Sequence, residues 1–97
     1  MQDGSYIIGR TPATRSYTGG GRLNIDDATV SHRHAALLVL QGTYYLADLG
    51  SHNGTWRLRE GAYRPHTEGY VDPHEPLRFG ETEVTLAELM SAESPEV

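Results

Sequence analysis

Cysteine is absent from this 97-residue chain, and so is lysine. Without cysteine there is no disulfide scaffold, no thiol catalysis and no zinc site built on thiolates. Without lysine all eight basic residues are arginine. Arginine is the better two-pronged partner for phosphate and carboxylate, although a GC-rich coding sequence produces the same bias. No apolar run reaches the roughly 18 residues of a membrane span. The N-terminal "MQDGSYIIGR" has neither the basic start nor the apolar stretch of a signal peptide. The expectation is a cytoplasmic soluble protein, or a domain cut from a larger one, with no membrane contact. Also missing is the basic stripe of a nucleic-acid binder. The net charge of −5 is concentrated in Glu81, Glu83, Glu88, Glu93 and Glu96, and residues 1–80 balance their arginines against their acids.

Turn residues are plentiful. Eleven glycines and five prolines cut the chain into short pieces, and the pieces between them read as strands. "SYIIGR" (5–10) is apolar and β-branched, and "RLNI" (22–25) alternates with Leu23 and Ile25 on one face. "HAALLVL" (34–40) fits helix or buried strand by composition, and its length and the "QGT" turn after it predict a strand paired through a hairpin with "YYLADL" (44–49). "TWRLRE" (55–60) alternates, and "LRFGETEVTLAEL" (77–89) reads as two strands turning at Gly80-Glu81. Residues 61–76 read as loop with one short strand near Tyr70-Val71, and 14–22, "TRSYTGGGR", as loop. This predicts roughly eight to ten short strands and no helix, a β-sandwich with its polar loops gathered at the ends. One domain over 1–90 is expected, followed by a flexible acidic tail or linker over 91–97.

The residues out of place in a plain core are Arg10, Ser31, His32, His34 and the Ser51-His52-Asn53 group. "VSHRHA" (30–35) admits three chemistries. His32 and His34, two apart, face one side of a strand and would chelate a metal with a third ligand such as His52, His66 or His74. However, His32 lies in a loop-like stretch and no carboxylate supports it. Ser31 beside His32 imitates a nucleophile and its base, but no third orienting group or oxyanion site accompanies them. "GGGR" lacks the spacing of a phosphate-binding P-loop. The anion reading uses all the residues: an arginine fork, a serine hydroxyl and loop N–H groups around an anion, with Asn53 free to donate and accept against a peptide backbone.

Four segments, "IIGR" (7–10), "LNIDDATVSHRHA" (23–35), "YYLADLGSHNGTW" (44–56) and "PLRFG" (76–80), stand in an order and spacing that resemble the forkhead-associated (FHA) domain, a phosphothreonine-peptide binding module. The resemblance implies an all-β, two-sheet sandwich of about eleven short strands with functional loops at one end. It implies a non-enzymatic adaptor without metal or cofactor, acting under Ser/Thr kinases and favoured as a monomer. Arg10 matches the arginine that grips phosphate, Ser31 the serine that bonds a phosphate oxygen, and Asn53 the asparagine that holds the ligand main chain. His52 sits on the phosphate side. Gly9, His34, Gly54 and Thr55 match positions that shape the loops. The departure is His32, where the family commonly has arginine: a histidine titrates near pH 6.5, close to the second ionisation of phosphate near pH 6. The competing readings are a degenerate FHA domain that binds an unphosphorylated partner and, behind it, a histidine-based metal site. Thr11, Ser16 and Thr18 are candidates for modification and capture by another copy.

Overall fold

The computed structural model describes residues 3–10 and 21–93. The loop expected over 14–22 and the modifiable Thr11, Ser16 and Thr18 fall outside these residues, apart from the loop's last two positions. The described chain is an all-β sandwich. A five-stranded sheet runs in the order β2-β1-β3-β4-β7 and a four-stranded sheet in the order β6-β5-β8-β9. The strands are β1 (Gly4–Arg10), β2 (Gly21–Ile25), β3 (Ala35–Leu40), β4 (Thr43–Asp48), β5 (Thr55–Arg59), β6 (Ala62–Pro65), β7 (Glu68–Val71), β8 (Leu77–Phe79) and β9 (Thr82–Val84). There are nine strands among the described residues rather than about eleven.

Alternation of side chains builds the core. Leu37 and Val39 of β3 point inward while Leu38 and Leu40 stay exposed. Leu23 and Ile25 of β2 are buried as the sequence pattern required. Ile8, Leu46, Leu77 and Phe79 are fully enclosed between the two sheets. Each such side chain contributes about 1.5–3 kcal/mol by leaving water. The β3–β4 hairpin closes through Gln41-Gly42, both at positive φ (50° and 82°), the pattern of a two-residue type I′ turn. Glu60-Gly61 repeats it between β5 and β6. That second hairpin puts a strand at 62–65, where the sequence had read as loop.

The expectation of no helix is corrected. Residues Leu86–Glu93 form α1, whose Leu86 and Leu89 are buried in the core. Its start is a reciprocal cap. The Glu88 N–H donates to Thr85 Oγ1 at 3.1 Å, and the Thr85 N–H donates to Glu88 Oε1 at 2.9 Å. Thr85→Ala should therefore lower unfolding stability by about 1 kcal/mol, read as an earlier urea midpoint at unchanged slope. An unchanged midpoint would mean that the cap does not hold in solution. No helix among the described residues is long and apolar enough to cross a membrane.

Strand register brings three segments to one end of the sandwich. β1 and β2 run parallel and finish together at Arg10 and Ile25. Antiparallel β3 begins at that same level, with Ala35 opposite Ile8 and Asp48. The β1 terminus, the β2–β3 loop (26–34) and the β4–β5 loop (49–54) are thus neighbours. Asn53-Gly54, read from sequence as a tight turn, lies in a loop that carries the chain from one sheet to the other.

Candidate functional site

The loops are held from below. Gly9 is buried, and a methyl there would overlap the His32 carbonyl group and come within 2.8 Å of the Ser31 oxygen. Only glycine lets β1 pass this close beneath the β2–β3 loop. The contact is fixed by the Arg10 N–H, which donates to the Ser31 carbonyl at 2.9 Å.

His34 brackets two loops from the interior. It is fully buried, edge-on to Phe79 at 5.8 Å between ring centroids. Its Nδ1 accepts the Ser31 N–H at 3.1 Å, so the ring proton sits on Nε2 and donates to the Gly54 carbonyl at 2.8 Å. The two histidines of "VSHRHA" consequently part company: His34 is a core bracket, whereas His32 is exposed. They do not chelate together, and among the described residues no three His, Asp or Glu side chains gather as metal ligands. Of the other histidines considered, His66 is buried and bonds the Leu46 carbonyl at 2.9 Å.

Asp48 organises the β4–β5 loop. Its Oδ2 accepts the N–H groups of Gly50 and Ser51 at 2.9 and 3.0 Å. Its Oδ1 accepts the hydroxyls of Ser51 and of buried Thr55 at 2.6 and 2.7 Å. Burial pushes this carboxyl up, but the bonds from Ser51, Thr55 and Gly50 outweigh burial and hold it below the usual carboxylate value. Ser51 Oγ also accepts the Gly54 N–H at 2.9 Å. On the other loop Asp27 Oδ1 accepts the Thr29 N–H and hydroxyl, both at 2.8 Å. The hydroxyl of Thr82, then the bonds from Thr29, hold Asp27 below its ordinary range.

Across the gap between these braced loops stand the residues singled out from sequence. Arg10 Nη2 donates to His32 Nε2 at 3.0 Å. No carboxylate among the described residues pairs with its guanidinium. The His52 N–H donates to Ser31 Oγ at 3.1 Å, and the His52 ring is exposed. Asn53 Nδ2 donates to the Thr29 carbonyl at 2.8 Å. A carbonyl can only accept, which fixes the amide orientation and leaves Asn53 Oδ1 outward. Arg10, Ser31, His32 and His52 are therefore joined by hydrogen bonds into one constellation, Asn53 is tied to the same β2–β3 loop through Thr29, and Gly9, His34, Gly54 and Thr55 shape the loops that carry them.

Arg22 joins them without having been singled out. Its Nη2 donates to the carbonyls of Arg10 and His32 at 2.6 and 2.8 Å, and its Nε to Asn24 Oδ1 at 2.7 Å. It clasps the end of β1 to the loop that carries Ser31. Asp48 and Thr29 were also missing from the candidate set, and Ser51, singled out with His52 and Asn53, had been given no role of its own. The signal for Asp48 was local: an Asp whose side chain turns back onto N–H groups two and three residues on is the Asx-turn pattern. For Arg22 no local signal existed, because its neighbour Arg10 is supplied by parallel pairing across a long connection.

The chain resembles known proteins in sequence and in fold. The profile of the FHA domain matches residues 6–63, more than half of the 97 residues. No curated protein sequence matches the chain. The FHA domain of FhaA, solved in complex with the intracellular domain of Rv3910, is 29% identical, with a TM-score of 0.66 over 88% of this chain and 81% of that one. A second structure comes from a structural and functional analysis of phosphothreonine-dependent FHA domain interactions. It is also 29% identical, with a TM-score of 0.64 over 88% of this chain and 77% of its own. The FHA domain of CT664 from Chlamydia trachomatis shares the fold at 22% identity, with a TM-score of 0.64 over 86% of this chain and 75% of that one. With the profile spanning both loops of the constellation and the sandwich superposing on solved members, this chain belongs to the forkhead-associated domain family.

Proposed function

We propose that the chain recognises phosphothreonine in partner proteins and recruits them under Ser/Thr kinase signalling, without chemistry of its own. The carrying observation is the Arg10 guanidinium, unpaired with any carboxylate among the described residues and bonded to His32 on the braced loop that also carries Ser31. A planar guanidinium grips two phosphate oxygens at once. Ser31 Oγ accepts from the His52 N–H, so its own proton is free to donate to a third oxygen. The His52 ring lines the phosphate side. Asn53 spends one amide N–H on Thr29 and keeps Oδ1 for a ligand main-chain N–H. The relative whose interactions are described as phosphothreonine-dependent supports the same reading.

A degenerate peptide library fixed in turn on phosphothreonine, phosphoserine and unmodified threonine tests it. Retention of the phosphothreonine pool is expected, and equal retention of the unmodified pool refutes the proposal. One buried methyl is worth about 0.8 kcal/mol, or roughly fourfold, so phosphoserine should be weaker by at least that if the methyl is enclosed.

His32 stands where the family commonly has arginine. Arginine only donates, so the 3.0 Å contact requires an unprotonated His32 Nε2. A proton on Nε2 ends that bond and gives the phosphate a second cationic donor in place of the family's arginine. The affinity ratio of native protein to His32→Ala should thus be about threefold or more larger at pH 6 than at pH 8. Because the ratio cancels the phosphate's own titration, an equal ratio at both pH values removes this role.

A further inference from the structure

We infer that the outer face of the five-stranded sheet is a self-docking surface, on which a second copy of this chain packs about a two-fold axis along β4. The inference goes beyond the phosphopeptide reading and does not depend on it.

The solvent face of an antiparallel sheet is ordinarily polar. This one is apolar. Among the described residues four large apolar or aromatic side chains are exposed, and Leu38, Leu40 and Tyr70 are three of them. With Thr43 and Tyr45 they line a groove of about 270 Å³. Single exposed apolar residues are common, whereas a contiguous group marks an interaction surface.

Strand register makes the face complementary to itself. Leu38, Tyr45 and Tyr70 stand in one row across β3, β4 and β7. Tyr45 is the middle of the row, and its ring meets Tyr70 edge-on at 5.1 Å between centroids. Turned about an axis along β4, a second copy lays its Tyr70 over Leu38 and its Leu38 over Tyr70, with Tyr45 on Tyr45. Each unlike pairing occurs twice, as a two-fold interface requires. Sheets stack in this aligned way about 10 Å apart.

Charge favours a copy over another partner. Of the residues that alternation turns outward on β3, β4 and β7, only Glu68 is charged. No base stands on these strands to select an acidic ligand. Glu68 lies at the corner, on the edge strand, and its Oε2 accepts the Tyr45 hydroxyl at 2.8 Å. Across the axis the two Glu68 carboxylates stay about 10 Å apart, near a Debye length. The glutamates of residues 81–97 belong to other segments.

Area sets the strength. Strands about 4.8 Å apart and alternate residues about 6.8 Å apart give the face roughly 300–400 Å² in projection. A standard interface takes about 800 Å² from each partner, so the dimer is weak, with Kd on the order of 0.1 mM. An axis along β4 leaves the loop ends of both copies pointing one way. The dimer therefore presents two Arg10 constellations side by side.

Sedimentation equilibrium of the chain from about 10 µM to about 1 mM should show a reversible monomer–dimer equilibrium. Over the same dilution the backbone amide resonances of Leu38, Tyr45 and Tyr70 should shift, while that of Glu83 on the other sheet stays in place. Leu38→Glu and Tyr70→Lys should each weaken dimerisation at least about tenfold, because each sets unpaired charges into the interface. Mixed in equal amounts, the two variants should dimerise again at about native strength. The introduced Glu then faces the introduced Lys, and the other Leu38–Tyr70 pair is native. A chain that stays monomeric at about 1 mM, assemblies that grow past two, or shifts confined to other strands overturn the inference. So does a mixture of well-folded variants that is as weak as either alone. If a variant melts far below the native protein, the dilution shifts of the native chain decide by themselves.

Discussion

Arg10→Ala should weaken phosphothreonine-peptide binding at least about tenfold and leave folding stability within about 0.5 kcal/mol. The two halves of this expectation have separate causes. Hydrogen bonds to a charged group contribute about 1.5–3 kcal/mol each, and a two-pronged grip would lose two of them. Among the described residues the same guanidinium makes one bond, to exposed His32. The bond that fixes the end of β1 is the backbone N–H to the Ser31 carbonyl, and alanine keeps it. Calorimetric titration and thermal melting of the same preparations separate the effects. Arg10→Lys should fall between native and Ala, since lysine retains the charge but not the fork. If Arg10→Ala and Ser31→Ala both bind undiminished, the phosphate is held elsewhere.

The sheets were legible because their signals are local. "HAALLVL" and "RLNI" announce which side chains go inward, and "QGT" announces the hairpin. The helix was not. Val84 and Leu86 alternate at the strand period, which favoured continuing β9, whereas Leu86 and Leu89 are three apart, the helical spacing. In so short a segment both periods fit. The deciding signal was the cap: Thr85 with Glu88 three residues later. Strand β6 was hidden for a different reason. It lies at a sheet edge and is largely exposed, so "AYRP" carries no inward alternation. Its Pro65 is tolerated at such an edge and reads as a loop residue in sequence.

The same division runs through the site. The candidate site residues stand out in sequence because a polar group in a turn is conspicuous once the strands around it are assigned. Residues that hold the loops in place are less visible. His34 could be separated from His32 only by resemblance, and what fixes its role is its complete burial and its bonds to Ser31 and Gly54. Arg22 acquires meaning only when parallel pairing sets β2 beside β1.

Asp48→Ala should cost about 3–4 kcal/mol of stability, lowering the melting temperature by more than about 12 °C, and should also weaken peptide binding. One carboxylate takes four hydrogen bonds from Gly50, Ser51 and Thr55. Removing it leaves Thr55 Oγ1 without its acceptor in a residue only 3% exposed. It also releases Ser51, which braces the Gly54 N–H, and Gly54 carries the carbonyl that anchors His34. The damage therefore spreads to both loops around Arg10. Asp48→Asn should be milder. With its amide nitrogen toward the two hydroxyls and its oxygen toward the two N–H groups, every neighbour keeps a partner. What Asn lacks is the charge, and acid exposes the difference. Asp48 is held below its ordinary value in the folded protein, so the unfolded chain takes up a proton first as pH falls. Its stabilisation is complete above the unfolded pKa near 3.9 and is lost as pH drops through the lower folded value. Melting temperatures of native protein and Asp48→Asn should accordingly differ most from pH 5 upward and converge in stronger acid. A gap that stays constant as the solution is acidified would show that the Asp48 charge does not contribute to holding the loop.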